Sequence, residues 1–382
     1  MTGKGNLRFK EGLENVETKV YKWGDVFSPG ERPLLTVPAD RKLPVPPYLV
    51  DDEVTRTDLR RIYSNIEIMD QQVGFLLDQL EADGELNNTI IFFFSDHGGP
   101  MPRQKRLMYD SGLKVPMMVA WPDDRKAGTI DSSLFSFVDL APTVFSLADV
   151  GIPDYLQGQA RLGAAEAAPR KYIHAGSDRT DEYYDRIRAV RDNRYKYLRN
   201  FYPERGYYLP LDYRENIPAM QSLLKGRDAG TLTDAQSLWF RKTKPTEELF
   251  DVHNDPHELV NLAADPRYAY KLAELRTEMD RWLGEVGDLG AMDEIEMVSQ
   301  FWEGSETMPV TGRPQLRRDS LGRFILESKT PGAQIAYQIV PKGATANVWQ
   351  VYTGPLEYTR GDTLKAVAQR IGYEESGVSL GW

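Results

Sequence analysis

Residues 89–121 read TIIFFFSDHGGPMPRQKRLMYDSGLKVPMMVAW, and this stretch decides the fold that the sequence predicts. Its apolar run, residues 90–94, is typical of a strand that is buried on both faces. The run ends abruptly at Asp96 and His97. Open α/β sheets bind their ligands at the carboxyl ends of their strands, so the end of this strand is the predicted site of chemistry.

The polar residues after this strand indicate an anionic ligand held against a metal. Asp96 can bind a hard cation through oxygen, and His97 can bind a metal or shuttle a proton. Lys105 follows in the same loop, before a second apolar strand at residues 115–121. Together these three groups suit a negatively charged, tetrahedral substrate group that contacts a bound metal.

The composition of the 382-residue chain limits the alternatives. With 41% hydrophobic and 11% aromatic residues, the chain can bury a sizeable core. A formal net charge of −10 argues against general nucleic-acid binding, which needs a basic face. No apolar run approaches the roughly 20 residues of a membrane span, and the absence of cysteine excludes disulfides and thiolate metal sites. Composition leaves the oligomeric state open.

The first predicted region, residues 1–165, alternates helices with strands. A long helix is predicted over residues 55–82, where apolar residues recur at helical spacing, and another over residues 137–149. The alternation predicts an α/β fold with a partly parallel sheet. Asp51 and Asp52 precede the long helix, and we expect them to cap it or to be solvated.

The second predicted region, residues 166–300, is a smaller α+β subdomain with an antiparallel sheet. Its strands and its amphipathic helix are predicted at residues 171–174, 187–190, 195–198, 247–252 and 266–285. Residues 203–245 are predicted to be rich in loops. In the third region, residues 305–382, alternating strands spaced by turns predict a β-sandwich.

Four ordered segments of the chain resemble the sulfatase family of the alkaline-phosphatase-like superfamily. They are Ser-Asp-His-Gly with Lys-x-x-x-Tyr-Asp-x-Gly-x-x-Val-Pro at 95–116, FVDLAPT at 137–143, RAVRDNRYKY at 188–197, and ELFDVHNDP with its downstream Glu, Asn and Leu at 248–262. The resemblance covers about residues 45–285. It implies an incomplete alkaline-phosphatase-like sheet and a metal-dependent hydrolase of sulfuric esters, acting on sulfated carbohydrate or aryl substrates.

The resemblance also implies roles for the three polar residues. Asp96 corresponds to an acidic metal ligand, and Lys105 to the lysine that contacts the sulfate. His97 corresponds to a position where it either binds the metal or donates a hydrogen bond to the sulfate or the nucleophile. The expected metal is a divalent cation, most often Ca²⁺.

Three further residues are candidates for the substrate pocket, namely Arg103, His174 and Arg179. Solvent exposure is the alternative for Arg103, and a structural role is the alternative for His174. Tyr109 and Asp110 are expected to fix the loop rather than to contact the substrate.

The family's nucleophile is not found in this sequence. Sulfatases use a formylglycine made from the first residue of a Cys/Ser-x-Pro/Ala-x-Arg motif. The chain has no cysteine, and the segment from Ser28 to Arg32 has its proline one place too early. The resemblance suggests that the family's first half, with two further metal-binding aspartates, lies before Met1. We therefore expect a truncated chain that is inactive alone, and by resemblance a bacterial periplasmic or secreted protein.

Other interpretations remain open. One is a phosphodiesterase or phosphonate hydrolase of the same superfamily, since these also carry Asp-His-Gly after a buried strand. Another is a non-catalytic remnant that binds glycans through its C-terminal region. Residues 305–382 resemble the small immunoglobulin-like domain at the C-terminus of some chitobiases and hexosaminidases, which implies an accessory domain without catalysis.

Overall fold

The computed structural model describes residues 35–180, 183–344, 348–357 and 361–381. The segment from Ser28 to Arg32 lies outside these ranges. The described chain divides into two compact units, one ending at Asp288 and the other beginning at Leu289. Within the described ranges, no helix combines the length and the apolar character needed to cross a membrane.

The first unit opens with a 30-residue helix, α1 (Glu53–Ala82). Asp52 caps it, because its carboxylate accepts the main-chain N–H of Thr55 at 2.8 Å. Asp51 forms an ion pair with Arg56 on the same helix. The predicted helix and the predicted capping role of Asp52 are therefore confirmed.

Strands β1 (Ile91–Phe94) and β2 (Met117–Ala120) pair antiparallel, with Ile91 opposite Ala120. The expected partly parallel arrangement is therefore wrong for these strands. The intervening chain folds back on itself, and an apolar run carries no information about the direction of its neighbour. The expectation that β1 is buried on both faces is also wrong, because its side chains are only half-buried and that of Phe94 is exposed.

The helix predicted over residues 137–149 is confirmed in shorter form. The one-turn helix α2 (Asp110–Leu113) lies earlier in the chain. A 3₁₀ turn at Phe137–Asp139 then leads into α3 (Leu140–Leu147). Helices and strands thus mix in an α/β arrangement, and the sheets among the described residues are small and open.

A four-stranded antiparallel sheet follows, as predicted. Its strands lie in chain order: β3 (Ile173–Thr180), β4 (Tyr183–Arg191), β5 (Tyr195–Asn200) and β6 (Glu247–Asp251). The turn between β4 and β5 is fixed by Asp192, whose carboxylate accepts the main-chain N–H groups of Arg194 and Tyr195.

The predicted amphipathic helix is α7 (Ala269–Val286), which packs on this sheet. Leu275 and Met279 of α7 are fully buried in one core cluster with Val190 and Leu249 of the sheet. Burial of apolar side chains on both elements holds the helix on the sheet.

Residues 203–245 contain three helices, so the prediction of loops is incomplete there. They are α4 (Asp212–Glu215), α5 (Pro218–Ala229) and α6 (Asp234–Ser237). Helix α5 begins with a proline at its first position and ends at Gly230, which has a φ of +65°. These two residues are the sequence signal that could have revealed the helix.

The second unit contains α8 (Glu294–Phe301), a hairpin of β7 (Gln315–Arg318) and β8 (Phe324–Glu327), and a four-stranded antiparallel sheet. The sheet has the order β10 (Gln350–Val351), β9 (Gln334–Val340), β11 (Thr363–Gln369), β12 (Ser379–Gly381). One core cluster joins Leu326 of β8 to residues of β9 and β11, namely Ile335, Leu364, Ala366 and Ala368. Closure of these strands into a β-sandwich stays a prediction.

Candidate functional site

The loop that joins β1 to β2, hereafter the active loop (residues 95–116), is closed by its own hydrogen bonds. The main-chain N–H of Lys105 donates to the carbonyl of Gly99 at 3.1 Å. A Cβ at Gly98 would lie 2.0 Å from the carbonyl oxygen of Ser111, so only glycine fits there. The hydrogen bond to Gly99 brings the main chain of Lys105 back to the residues that directly follow Asp96 and His97.

Asp96 and His97 lie side by side at the open end of this loop. The Nε2 of His97 is 3.5 Å from Oδ2 of Asp96, and the two side chains are 38% and 82% exposed. The Nδ1 of His97 lies 2.7 Å from the carbonyl oxygen of Gly98. A carbonyl can only accept, so Nδ1 carries the proton and the lone pair of a neutral ring is on Nε2, beside the carboxylate. Two accessible ligand atoms therefore point to the same region.

These donors fit a divalent cation, although the set is incomplete. Asp96 offers the carboxylate oxygen that Ca²⁺ and Mg²⁺ prefer, while an imidazole is a less usual calcium ligand. Within the ranges that the structure describes, no three His, Asp or Glu side chains are grouped so that they could hold a metal. The metal roles of Asp96 and His97 therefore stay predictions.

Lys105 lies in the middle of the active loop and is half-buried. The hydrogen bond to Gly99 places its main chain close to the Asp96–His97 pair in the loop. Convergence of its ammonium group with the carboxylate and the imidazole on one oxyanion stays a prediction.

Arg103 is buried, so the expectation that it is exposed to solvent is wrong. Its Nη1 and Nη2 donate to the carbonyl oxygens of His257 and Glu258, each at 2.9 Å. Its guanidinium lies 4.0 Å from the ring centroid of Tyr109. Carbonyl oxygens and an aromatic face replace the lost water, which explains how a charged side chain is only 3% exposed. A role in substrate binding stays a prediction.

The other two candidate pocket residues lie on β3. Nε2 of His174 is 2.8 Å from Oε1 of Glu278, and its ring stacks on Trp282 at 4.8 Å. Burial lowers the pKa of His174 although Glu278 opposes the shift. These contacts with α7 favour the structural role that the sequence left open. The guanidinium of Arg179 lies 5.0 Å from the ring centroid of Tyr184, and its pocket role stays a prediction.

A buried ionic network on the inner side of the active loop was not predicted. Nζ of Lys196 lies 2.6 Å from Oδ1 of Asp110 and 2.8 Å from Oε1 of Glu258, and it donates to the carbonyl of Met108 at 3.2 Å. Nη2 of Arg191 is 3.1 Å from Oδ2 of Asp110. The network ties Asp110 to the four-stranded sheet, which confirms its predicted role in fixing the loop.

The two carboxylates of this network respond differently to burial. Burial alone would raise the pKa of Asp110, but Lys196 and Arg191 outweigh it and lower that pKa below its usual value. For Glu258 burial dominates and raises the pKa, although Lys196 opposes the shift.

Tyr109 is anchored beside this network. Its hydroxyl donates to Oε2 of Glu248 at 3.3 Å, and Asn200 donates to the other oxygen of that carboxylate at 2.8 Å. Tyr109, Glu248 and Arg103 line a cavity of about 60 Å³. The hydrogen bond from Tyr109 to Glu248 confirms that Tyr109 helps to fix the active loop.

Two family models match adjacent and overlapping parts of the chain. The sulfatase model matches residues 25–150, and the model of the C-terminal region of N-sulphoglucosamine sulphohydrolase matches residues 103–237. The active loop thus lies where the two matches overlap, except for its first residues.

Several relatives are sulfatases by name. An ulvan-active sulfatase from Formosa agariphila is 46% identical over 381 residues, which cover 96% of this chain and 64% of the relative. The N-sulphoglucosamine sulphohydrolase of Homo sapiens is 31% identical over 64% of this chain and 51% of its own length. A solved 2-O GAG sulfatase matches 63% of this chain and 45% of its own, with 23% identity and a TM-score of 0.46.

This chain therefore spans less than two thirds of the length of the two relatives compared. The family models and the identity to the ulvan-active enzyme agree with the motifs in the active loop and on the four-stranded sheet. The chain is therefore similar to sulfatases over most of its length.

Proposed function

We propose that this chain contributes Asp96, His97 and Lys105 to a metal-dependent enzyme that hydrolyses sulfate esters of carbohydrate or aryl substrates. The observation that carries the proposal is the end of β1, where an exposed carboxylate and the Nε2 lone pair of an imidazole lie side by side. The hydrogen bond from Lys105 to Gly99 brings a cationic residue to the same loop segment.

Each residue has a distinct role in this proposal. The carboxylate of Asp96 binds a divalent cation, and that cation offsets negative charge on the sulfate group. The ammonium of Lys105 contacts a sulfate oxygen and neutralises the charge that develops there in the transition state. Nε2 of His97 either joins the metal ligands or, when protonated, donates a hydrogen bond to the sulfate. No step through a formylglycine is assigned, because the sequence contains no motif for it.

A sulfated glycan is the substrate class we propose. Relatives of this chain include an ulvan-active sulfatase and an N-acetylglucosamine-6-O-sulfatase, the latter 27% identical over 57% of this chain. On the resemblance alone, we also propose that the protein acts in the periplasm or outside the cell. Fractionation of the producing cells tests that location, and a purely cytosolic protein would contradict it.

A chimera with the ulvan-active relative tests the activity. In it, this chain replaces the 381-residue aligned part of the relative, and the relative supplies the rest. We expect calcium-dependent hydrolysis of an aryl sulfate, with a clear preference over the matching aryl phosphate. The 382-residue chain alone is expected to show no turnover, on the basis of the missing nucleophile motif.

The outcomes separate the competing functions. A preference for the phosphate ester would favour the phosphodiesterase or phosphonate hydrolase alternative, whose members share Asp-His-Gly. No turnover, together with binding of a sulfated polysaccharide, would favour the non-catalytic glycan-binding alternative.

A further inference from the structure

We infer that Glu258 is a positioning residue of this site, because it holds the active loop so that Lys105 faces the oxyanion of the substrate. The inference rests on the proposed function and adds to it a residue from a separate turn of the chain. Glu258 contacts the loop through its side chain and its main chain, and it needs no contact with the substrate.

The contacts between Glu258 and the active loop run in both directions. The carboxylate of Glu258 accepts the main-chain N–H of Asp110, and its Oε1 lies 2.8 Å from Nζ of Lys196. In return, Arg103 of the loop donates to the carbonyl oxygens of His257 and Glu258, each at 2.9 Å. The loop is thus anchored to the same turn at two points.

Lys105 lies between these two anchors, two residues after Arg103 and five before Asp110. Its neighbours are conformationally unusual, because Arg103 and Arg106 have φ angles of +62° and +78°. Such left-handed conformations are unfavourable for residues with a Cβ, so they persist only where surrounding contacts enforce them. Release of either anchor would let this segment relax and turn Lys105 away.

Glu258 itself has the features of a residue held in place for this purpose. It has a φ of +54° and is 2% exposed. A left-handed main chain and a buried carboxylate are both unfavourable for glutamate unless surrounding contacts enforce them. Its side chain and its main chain are both used by the loop and by Lys196. A purely structural acid could bind Lys196 without also accepting a main-chain N–H from the active loop.

The test measures how sulfate protects Lys105 in the full 382-residue chain. The rate of acylation of Lys105 by an amine-reactive ester is followed by peptide mass spectrometry, with calcium present. Sodium sulfate is compared with sodium chloride at equal ionic strength. Lys114 is exposed and serves as the internal control for reagent reactivity.

Two substitutions at Glu258 are compared with one matched control. Glu258→Ala removes the acceptor for the Asp110 N–H, whereas Glu258→Gln keeps an oxygen that can accept it. Asp139→Asn is the control, because Asp139 is also buried, accepts the main-chain N–H of Gln159 at 2.8 Å, and pairs with Arg170. Its described partners lie outside the active loop.

We expect sulfate to protect Lys105 in the unsubstituted chain and in Asp139→Asn. In Glu258→Ala the apparent affinity for sulfate should fall on the order of tenfold, as when an outer support of a ligand is removed. Glu258→Gln keeps an acceptor but loses the charge beside Lys196, so its affinity should be lower than that of the unsubstituted chain and higher than that of Glu258→Ala. The deficit relative to the unsubstituted chain can be measured even if Glu258→Ala fails to fold.

The results that overturn the inference are distinct from those that overturn the function. The positioning role is refuted if sulfate protects Lys105 equally in the unsubstituted chain, in Asp139→Asn and in Glu258→Gln, and Glu258→Ala is either unchanged or unfolded. This result leaves the proposed function intact. An equal loss in Asp139→Asn shows a general stability effect and also refutes the positioning role. Absence of sulfate protection in the unsubstituted chain refutes the inference alone, because aryl sulfate hydrolysis by the chimera decides the proposed function.

Discussion

The two sides of the active loop differ sharply in their surroundings. On the outer side, the side chain of Asp96 is exposed and that of His97 is partly exposed, and His97 contacts Asp96 and the carbonyl group of Gly98. On the inner side, Arg103 is buried and Asp110 is largely buried. They contact residues of β4, β5 and the 253–258 turn. In the proposed function, the outer side binds the metal and the substrate, and the inner side fixes the position of the loop.

Substitutions on the two sides should therefore affect different properties of the protein. Changes on the inner side should lower stability, because they leave buried charges or carbonyl groups without partners. Changes on the outer side should lower activity and leave stability almost unaffected. The expected loss of stability is therefore largest for substitution of Lys196 and smallest for substitution of Asp96.

Substitution of Lys196 should have the largest effect on stability. Lys196→Met leaves the buried carboxylates of Asp110 and Glu258 without their ammonium partner, so we expect a loss of about 3–5 kcal/mol in the free energy of unfolding. Urea titration followed by fluorescence measures this loss. The matched control is Lys271→Met, whose more exposed ion pairs with Asp192 and Glu274 should contribute at most about 1 kcal/mol. Similar losses in both variants would contradict the buried network.

Substitution of Arg103 should have an intermediate effect. Arg103→Met removes the donors to the carbonyl groups of His257 and Glu258, and a loss of about 1–3 kcal/mol is expected in the same titration. Arg267→Met serves as the control, because the side chain of Arg267 is 80% exposed and its pair with Asp265 is a surface contact. A loss no larger than that of the control would show that the two carbonyls have adequate alternative partners.

A smaller effect is expected from the titration of His174. Burial lowers its pKa below the ordinary value of 6.5, so the unfolded chain binds this proton more readily than the folded chain. Stability should therefore fall as the pH decreases from about 6.5 towards the pKa of the folded state. Unfolding titrations at pH 7.5 and 5.5, conditions chosen roughly to bracket the unperturbed pKa, should show a weaker pH dependence in His174→Gln. An unchanged pH dependence would argue against the burial of this ring.

The smallest change in stability is expected on the outer side of the loop. Asp96→Asn should alter the free energy of unfolding by less than about 0.5 kcal/mol, since the side chain is 82% exposed. Asp110→Asn provides the paired comparison from the inner side and should lose more, because its carboxylate bonds Lys196 and Arg191. Equal losses in the two variants would remove the distinction between the sides.

The sequence predicted those elements whose signals are local. The helical spacing of apolar residues in α1 and α7 is read within a few residues. Asp96 and His97 became candidate ligands because they follow directly on an apolar run, and the resemblance implied their roles.

What the sequence could not predict depends on contacts between distant segments. The runs at residues 90–94 and 115–121 would look the same in a parallel or an antiparallel sheet. Lys196 lies between Tyr195 and Tyr197, and nothing in these neighbours indicates that its ammonium group is buried. Its burial follows only when Asp110 and Glu258 are brought to it from 86 and 62 positions away.

The most direct test of the central claim is the rate of aryl sulfate hydrolysis by the chimera that carries Lys105→Ala. If Lys105 contacts the oxyanion beside a metal held by Asp96, this rate should fall about 10²–10³-fold. Lys114→Ala, an exposed lysine of the same loop, should hydrolyse the ester at the rate of the unsubstituted chimera. An active chimera whose rate is unchanged by Lys105→Ala would contradict the account.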